Sequence, residues 1–395
     1  MENRFDFTTK YKIIPVILIV VGLVATIAAL FIYHDHGARV WSNFLLNTIY
    51  FLIISLGGMV FLAIHTLGTA GWQTSIQRIP EAMMTFLPVT AIFMFIILIG
   101  MWFNLHHLYS WAHLDHPDEL ISEKQGYLNI PFFTIRTLVY LGGWIFLSRW
   151  YRQKSLDLDN DPDLKHFHKS TMISGIFIVF FAVTSSTSAW DWLMSIDPRW
   201  YSTLYGWYVF AGLLDSSIAT IILIVLLLRV TGHLPHVNKE HMHDLGMYLF
   251  AFSVLWGYLW FSQYMLQWYG NLPDETVYFH ERLRTSFRPF FFINLCVNFG
   301  FPFLVLMARN AKRINWILVV AAVGVIIGHW IDFYLLIMPG TLGAKSSGIG
   351  FLEVGMTLGF VGLFLFVVFR SLAKAPLIPV NHPYLKESYD YHTQY

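Results

Sequence analysis

The chain has 395 residues and a net charge of +1, with 56% hydrophobic and only 12% charged residues. A soluble domain carries roughly 25% charged residues, so this composition argues for a membrane protein, and the near-neutral charge gives nucleic acid no reason to bind. The single cysteine, Cys296, excludes an intrachain disulfide, a covalent haem motif and a cysteine-held iron–sulfur cluster on this chain.

The apolar residues come in blocks long enough to cross a bilayer. Ten membrane helices are predicted, over 12–33, 42–67, 85–108, 128–151, 170–195, 203–230, 243–269, 287–309, 314–337 and 349–373. The first apolar run, about 21 residues, exceeds a signal-peptide core. Tyr33-His34-Asp35-His36, which follows it, is not a small-residue cleavage site, so the run is expected to be a retained helix. The second helix ends near His65, and the third closes on His106 and His107. An acidic loop over 109–127 follows, with Asp115, Asp118, Glu119 and Glu123. Arg136 falls in the outer half of the fourth helix, and a mixed-charge loop over 152–169 leads to the fifth.

The stretch Thr184–Gly206 ends the fifth helix, turns at Asp197-Pro198 and opens the sixth. Thr184, Thr187 or Ser188, and Asp191 follow helical spacing and share a face. Asp191 lies close to the helix end, where a carboxylate can reach headgroups and water. Asp215 lies about 18 Å from that boundary, near the midplane. A lone ionised carboxylate there would protonate. Asp215 is therefore a hydrogen-bonded packing acid, a paired acid, or an acid beside water. His243-Asp244 opens the seventh helix, which carries Gln263 in its outer part; Arg284 and Arg288 precede and open the eighth. His329 and Asp332 stand three apart in the ninth. The polar tail over 374–395, broken by Pro376, Pro379 and Pro383, is expected to lie on a surface or a partner.

Lys and Arg concentrate in the loops on the N-terminal side, among them Arg149, Arg152, Lys154, Lys165, Lys169, Arg309, Lys312 and Arg313. The other side has Arg39, Lys124, Arg199, Arg282, Arg284, Arg288 and Lys345. This bias predicts both termini in the cytoplasm. The fifteen Trp and twenty Tyr suit many membrane–water boundaries. A membrane haem needs two facing histidines inside a bundle. His106, His107 and His329 all lie towards the outer face, and the run His233, His236, His241, His243 resembles a metal tract in composition alone. No metal ligand set is expected.

Two motifs are specific. Ala189-Trp190-Asp191-Trp192-Leu193-Met194-Ser195-Ile196-Asp197-Pro198-Arg199-Trp200-Tyr201-Ser202-Thr203 and the segment Trp260–Glu275, WFSQYMLQWYGNLPDE, resemble the ActF subunits of bacterial alternative complex III. Those belong to the NrfD-like membrane subunits, similar to that of polysulfide reductase. The resemblance implies an all-α polytopic membrane protein forming one integral membrane domain. Its bundles would be two four-helix groups, 42–195 and 203–337, with two flanking helices. It implies a bacterial cytoplasmic-membrane subunit of a menaquinol-oxidising complex that delivers electrons to cytochrome c or an oxidase. Implied partners are a paralogous NrfD-like membrane subunit, an iron–sulfur subunit, multihaem cytochrome c subunits, a terminal oxidase and lipids. The haem c and iron–sulfur clusters would sit on those partners and no cofactor on this chain.

The chain resembles the shorter of two paralogous membrane subunits, and the longer one is where the quinol site is placed. The expected role is therefore scaffold and proton conduit, not catalysis by this chain alone. The proton-pathway candidates are Asp191, Asp215, His65, Asp244, Arg136, His329 and Asp332, running from Asp191 past Asp215 to His65 or Asp244. Two rival readings remain. One is a quinol-binding catalytic subunit using His107, Arg136 and Asp191. The other is a stand-alone secondary transporter, against which stands the lack of a clear inverted repeat.

Overall fold

The computed structural model describes residues 4–33, 37–113, 119–343 and 348–392. His34, Asp35 and His36 after the first apolar run, Asp115 and Asp118 of the acidic loop, and Lys345 lie outside the described residues. Among the described residues ten helices are long and apolar enough to cross a membrane. They are α1 (Thr9–Ile32), α2 (Gly37–Leu67), α3 (Arg78–Trp102), α4 (Ile130–Asn160), α5 (Lys165–Ile196), α6 (Tyr205–Val230), α7 (Lys239–Gly270), α8 (Arg288–Leu306), α9 (Asn315–Leu342) and α10 (Phe351–Leu372). The end carrying the C-terminal segment is called the tail end below, and the opposite end the far end.

Helices α2–α5 close into one ring of contacts and α6–α9 into a second, and α2 meets α6 and α9 at the seam. The most apolar window of α2 is wholly buried, against 17% for α1. The outlying α1 packs along α10 through glycines: a Cβ on Gly22 would stand 2.4 Å from Gly359 Cα. Such close backbone approach is how helices associate where lipid removes the hydrophobic driving force.

Several boundaries differ from the sequence expectation, each for a local reason. Helix α3 starts at Arg78, because Pro80 suits a first turn. It tightens at Met84–Phe86, where Pro88 offers no N–H to the carbonyl four residues back. It stops at Trp102, since Asn104 adopts a left-handed conformation (φ 54°) and Leu105 N–H returns to Gly100 O at 2.8 Å. His106 and His107 therefore do not close this helix. They lie in the loop that folds back over it, with His106 Nε2 2.9 Å from Ile97 O and the His107 ring exposed. Helix α4 continues through the polar run to Asn160, which shrinks the mixed-charge loop to four residues, 161–164. Pro273–Arg284 forms a helix at the far end in what reads as a loop.

The tail docks on the tail end of the helices. Ser388 Oγ donates to Trp72 O (2.8 Å) and meets Ser75 Oγ (2.6 Å). Asn381 Nδ2 donates to Leu158 O (3.1 Å) and Asp159 O (3.0 Å), and the Tyr391 hydroxyl donates to Asp244. Helix α8 is irregular. Residues Cys296–Gly300 form a π turn just before Pro302, whose missing N–H leaves the Asn298 carbonyl without its ordinary helical donor.

Candidate functional site

The carboxylates predicted inside the helices fall into two separate groups. In the first ring, Asp191 is fully buried. Arg136 grips it bidentately, Nε to Oδ2 at 2.7 Å and Nη2 to Oδ1 at 2.9 Å, and the Tyr140 hydroxyl adds a donor at 2.9 Å. The remaining guanidinium nitrogen donates to Tyr127 O at 3.0 Å. The guanidinium also stacks over Tyr127 and Phe132, 3.9 and 4.2 Å from the ring centroids. The expectation that Asp191 reaches headgroups and water is corrected: the segment before α4 folds over it through Tyr127. Nor do His107, Arg136 and Asp191 form one pocket. His107 faces outward beside His113, with ring centroids 6.4 Å apart, while the ion pair is enclosed and its atoms are engaged.

The second ring holds the other group. Asp215 lies about 15 Å along α6 from its far-end start and is fully buried. Its Oδ2 accepts from Ser253 Oγ at 2.9 Å and lies 3.1 Å from His329 Nε2. Its Oδ1 is buried without a hydrogen-bond partner among the described residues. On the other side of the imidazole, Nδ1 has Asp332 Oδ2 at 3.8 Å and makes no hydrogen bond to a described residue. Asp332 accepts from the Tyr208 hydroxyl, from Asn294 Nδ2 at 2.8 Å and from Trp256 Nε1 at 3.1 Å. Asn298 Nδ2, inside the π turn, donates to Asn294 Oδ1 at 2.6 Å. Gly328 makes room for this: a Cβ there would stand 2.2 Å from Asn298 Oδ1.

One imidazole thus stands between two carboxylates contributed by α6 and α9, with donors from α6, α7 and α8. The Asp215–His329 pair can share one proton across 3.1 Å, and a histidine exchanges protons near neutral pH where an arginine does not. The group also connects towards the far end. A cavity of about 30 Å³, lined by Tyr208, Gln263, Tyr278, Arg282, Asn294 and Asp332 among others, is large enough for a water molecule. Arg282 closes its outer side. It is buried, lies 3.3 Å over the Tyr278 ring, donates to Leu335 O at 3.0 Å, and stands 3.5 Å from Asp197, which reaches solvent.

Among the described residues no hydrogen-bonded series joins Asp191 to Asp215, or Asp215 to His65 or Asp244. A cavity of about 20 Å³ lined from α2, α4, α5 and α6 is walled mostly by apolar groups, among them Trp192, Leu193, Val209 and Leu213, with Ser185 and Ser188 as its hydroxyl-bearing residues. Towards the tail end, three nearby hydroxyls are turned back on helix carbonyls, Ser217 to Leu213 O (2.7 Å), Thr220 to Ser216 O (2.8 Å) and Ser55 to Phe51 O (2.7 Å), while Ser216 Oγ is buried without a hydrogen-bond partner among the described residues. Ser217 marks the level of Ile54 on α2, and His65 lies about 16 Å further along that helix. His65 packs against Phe61, Trp72 and Tyr248, while Asp244 is held by His243 and Tyr391.

Sequence reasoning brought out His329, Asp332 and Asp215 but missed Tyr208, Ser253, Trp256, Asn294 and Asn298. A signal existed: Ser253 and Trp256 are three apart on α7, and Asn294 and Asn298 four apart on α8. Each pair forms a polar stripe on an otherwise apolar helix. Other buried ion pairs sit at the helix ends and brace them. Arg39 binds Glu353 twice at 2.8 Å, and Arg78 joins Glu81 (2.6 Å) and Asp159. No group of metal-binding residues occurs among the described residues. No protein-family profile matches the chain, and no curated protein matches it.

Proposed function

We propose that the chain is a multi-pass subunit of a quinol-oxidising complex in the bacterial cytoplasmic membrane, with both termini cytoplasmic, and that its second bundle carries protons. The observation that carries the proton role is the buried series Asp332–His329–Asp215–Ser253, with a water-sized cavity and Arg282 between it and the far end. Ionisable groups inside apolar helices are costly and mark proton or ion routes. Here a titratable imidazole lies between two carboxylates, which suits relay better than bracing. The conduit proposed is a half-channel that runs from Arg282, which closes it at the far end, to Ser253 near mid-depth.

The respiratory assignment rests on the Ala189–Thr203 and Trp260–Glu275 motifs. It brings menaquinol as substrate of the whole complex, with haem c and iron–sulfur clusters on partner subunits. Those partners would be the paralogous membrane subunit, the iron–sulfur subunit, the multihaem cytochromes and a terminal oxidase. Mild-detergent purification tests this part: the chain is expected with haem-coloured partners, and a chain that comes out alone would favour a transporter. The proton role is tested in the purified, vesicle-reconstituted assembly by the proton-to-electron ratio. Asp215→Asn is expected to lower the ratio while the complex still assembles. An unchanged ratio in an intact assembly would remove Asp215 from the route.

A further inference from the structure

At the tail end, between α7 and the turn joining α8 to α9, lies a cavity of about 780 Å³ that the proton series does not use. Its apolar wall includes Met247, Phe250, Ala251 and Met307. Met247 and Met307 are half exposed or more on the outer surface, and Leu304 continues the apolar strip up α8. Its basic wall is Arg309 and Lys312. Arg309 is exposed at the rim. Lys312 is only 6% exposed, and no carboxylate of the described residues lies within 4.0 Å of its ammonium. That ammonium, which has three protons to donate, makes one long hydrogen bond, 3.4 Å to Met307 O, and sits 4.9 Å from the Phe250 ring centroid. Burial pulls Lys312 below the usual lysine range. Asp244 in the same wall is already held by His243 Nδ1 at 3.0 Å and by the Tyr391 hydroxyl.

A nearly buried cation without a counter-charge, set at the head of an apolar groove open to the side, fits one class of ligand. We propose that this cavity binds an anionic phospholipid, its phosphate between Lys312 and Arg309 and its acyl chains along Met247, Ala251 and Leu304. Basic pockets between membrane helices near the cytoplasmic surface are suited to such headgroups, and an ammonium serves phosphate as a compact point charge. The inference shares the membrane reading and its cytoplasmic tail end with the proposed function, but not the proton role. Loss of the lipid and loss of proton movement are therefore separate outcomes.

The test uses the purified protein, in whatever assembly it is extracted, exposed to phosphatidylglycerol or phosphatidylcholine of matched chains and read by native mass spectrometry. Phosphatidylglycerol is expected to be retained on the order of tenfold more. Lys312→Gln should abolish that preference, and Lys312→Arg should keep it. Ala251→Trp, which fills the groove and leaves the charges, should reduce retention of both lipids. It also serves as the readout if Lys312→Gln does not fold. Equal retention of the two lipids by the unaltered protein, an unaffected Ala251→Trp, or displacement of the lipid by millimolar inorganic phosphate alone would overturn the proposal. So would a crosslink from Lys312 to a carboxylate of a partner chain.

Discussion

Two buried acids, one in each bundle, stand in opposite electrostatic circumstances. Asp191 faces a guanidinium that keeps its charge at all ordinary pH. It receives two charge-assisted hydrogen bonds from Arg136 and one from Tyr140. Asp215 faces an imidazole and a serine, and one of its oxygens meets no donor among the described residues. In the first arrangement each strong partner is permanent, so moving a proton would mean breaking the pair. In the second the partner itself titrates, and a proton can shift between neighbours with little movement. A carboxylate in an apolar helix is thus not informative alone; the permanence of its counter-charge separates a brace from a relay.

The sharpest way to break this comparison is to remove one member of the first pair. Arg136→Gln leaves Asp191 buried with only Tyr140 as a side-chain donor. Breaking a buried pair from one side costs about 3–5 kcal/mol, so the variant is expected to melt far below the parent in detergent or to fail to accumulate. The double change Arg136→Met with Asp191→Leu should recover much of that loss, because no charge is then left unpaired. Asp215→Asn should cost far less stability, since Ser253 and His329 can still hydrogen-bond an amide. If Asp215→Asn proves as destabilising as Arg136→Gln, both acids are braces and the contrast fails.

A smaller effect is expected from Gly328→Ala. The added methyl would stand 2.2 Å from Asn298 Oδ1 and 2.9 Å from Val297 Cγ1, so the π turn of α8 must shift. Overpacking of this kind costs roughly 1–3 kcal/mol. The shift would be passed to Asn294, which donates to Asp332. Proton movement should therefore fall more than stability does. A comparable methyl on Gly142, which has open space around it, should alter neither, and melting curves read beside the proton-to-electron ratio distinguish the two.

Much of this organisation is legible in the sequence because hydropathy reports depth. The ten apolar blocks, the deep position of Asp215 and the three-residue spacing of His329 and Asp332 all follow from rise per residue. Depth says nothing about which way a helix face turns. Asp191 lies near a helix end, yet the chain before α4 covers it through the Arg136–Tyr127 contact, a long-range closure that no local pattern signals. The end of α3 at Trp102 depends on a single left-handed residue just beyond it, Asn104, so His106 and His107 read as helical when they are not. The donors around Asp332 come from three other helices, and only their packing brings Tyr208, Trp256 and Asn294 to one carboxylate.

The smallest expected effect concerns the docked tail, and it must be known before any pH dependence is assigned to the second bundle. His382 packs edge-on against Phe167, with ring centroids 5.4 Å apart, and its Nδ1 lies 3.4 Å from Thr74 Oγ1. Burial pushes its pKa down from 6.5 to about 4; Glu81 opposes this and Arg78 adds to it. The undocked tail therefore takes up a proton near pH 6.5 that the docked tail refuses until near pH 4. Docking is at full strength above about 6.5 and weakens as pH falls through that window. Limited proteolysis of the segment after Pro376 is expected to speed up between pH 7 and pH 5 in the parent and to change less in His382→Gln. If cleavage is flat with pH in the parent, the ring is not held neutral at this site. Acid sensitivity of the proposed proton movement could then be assigned without a contribution from His382.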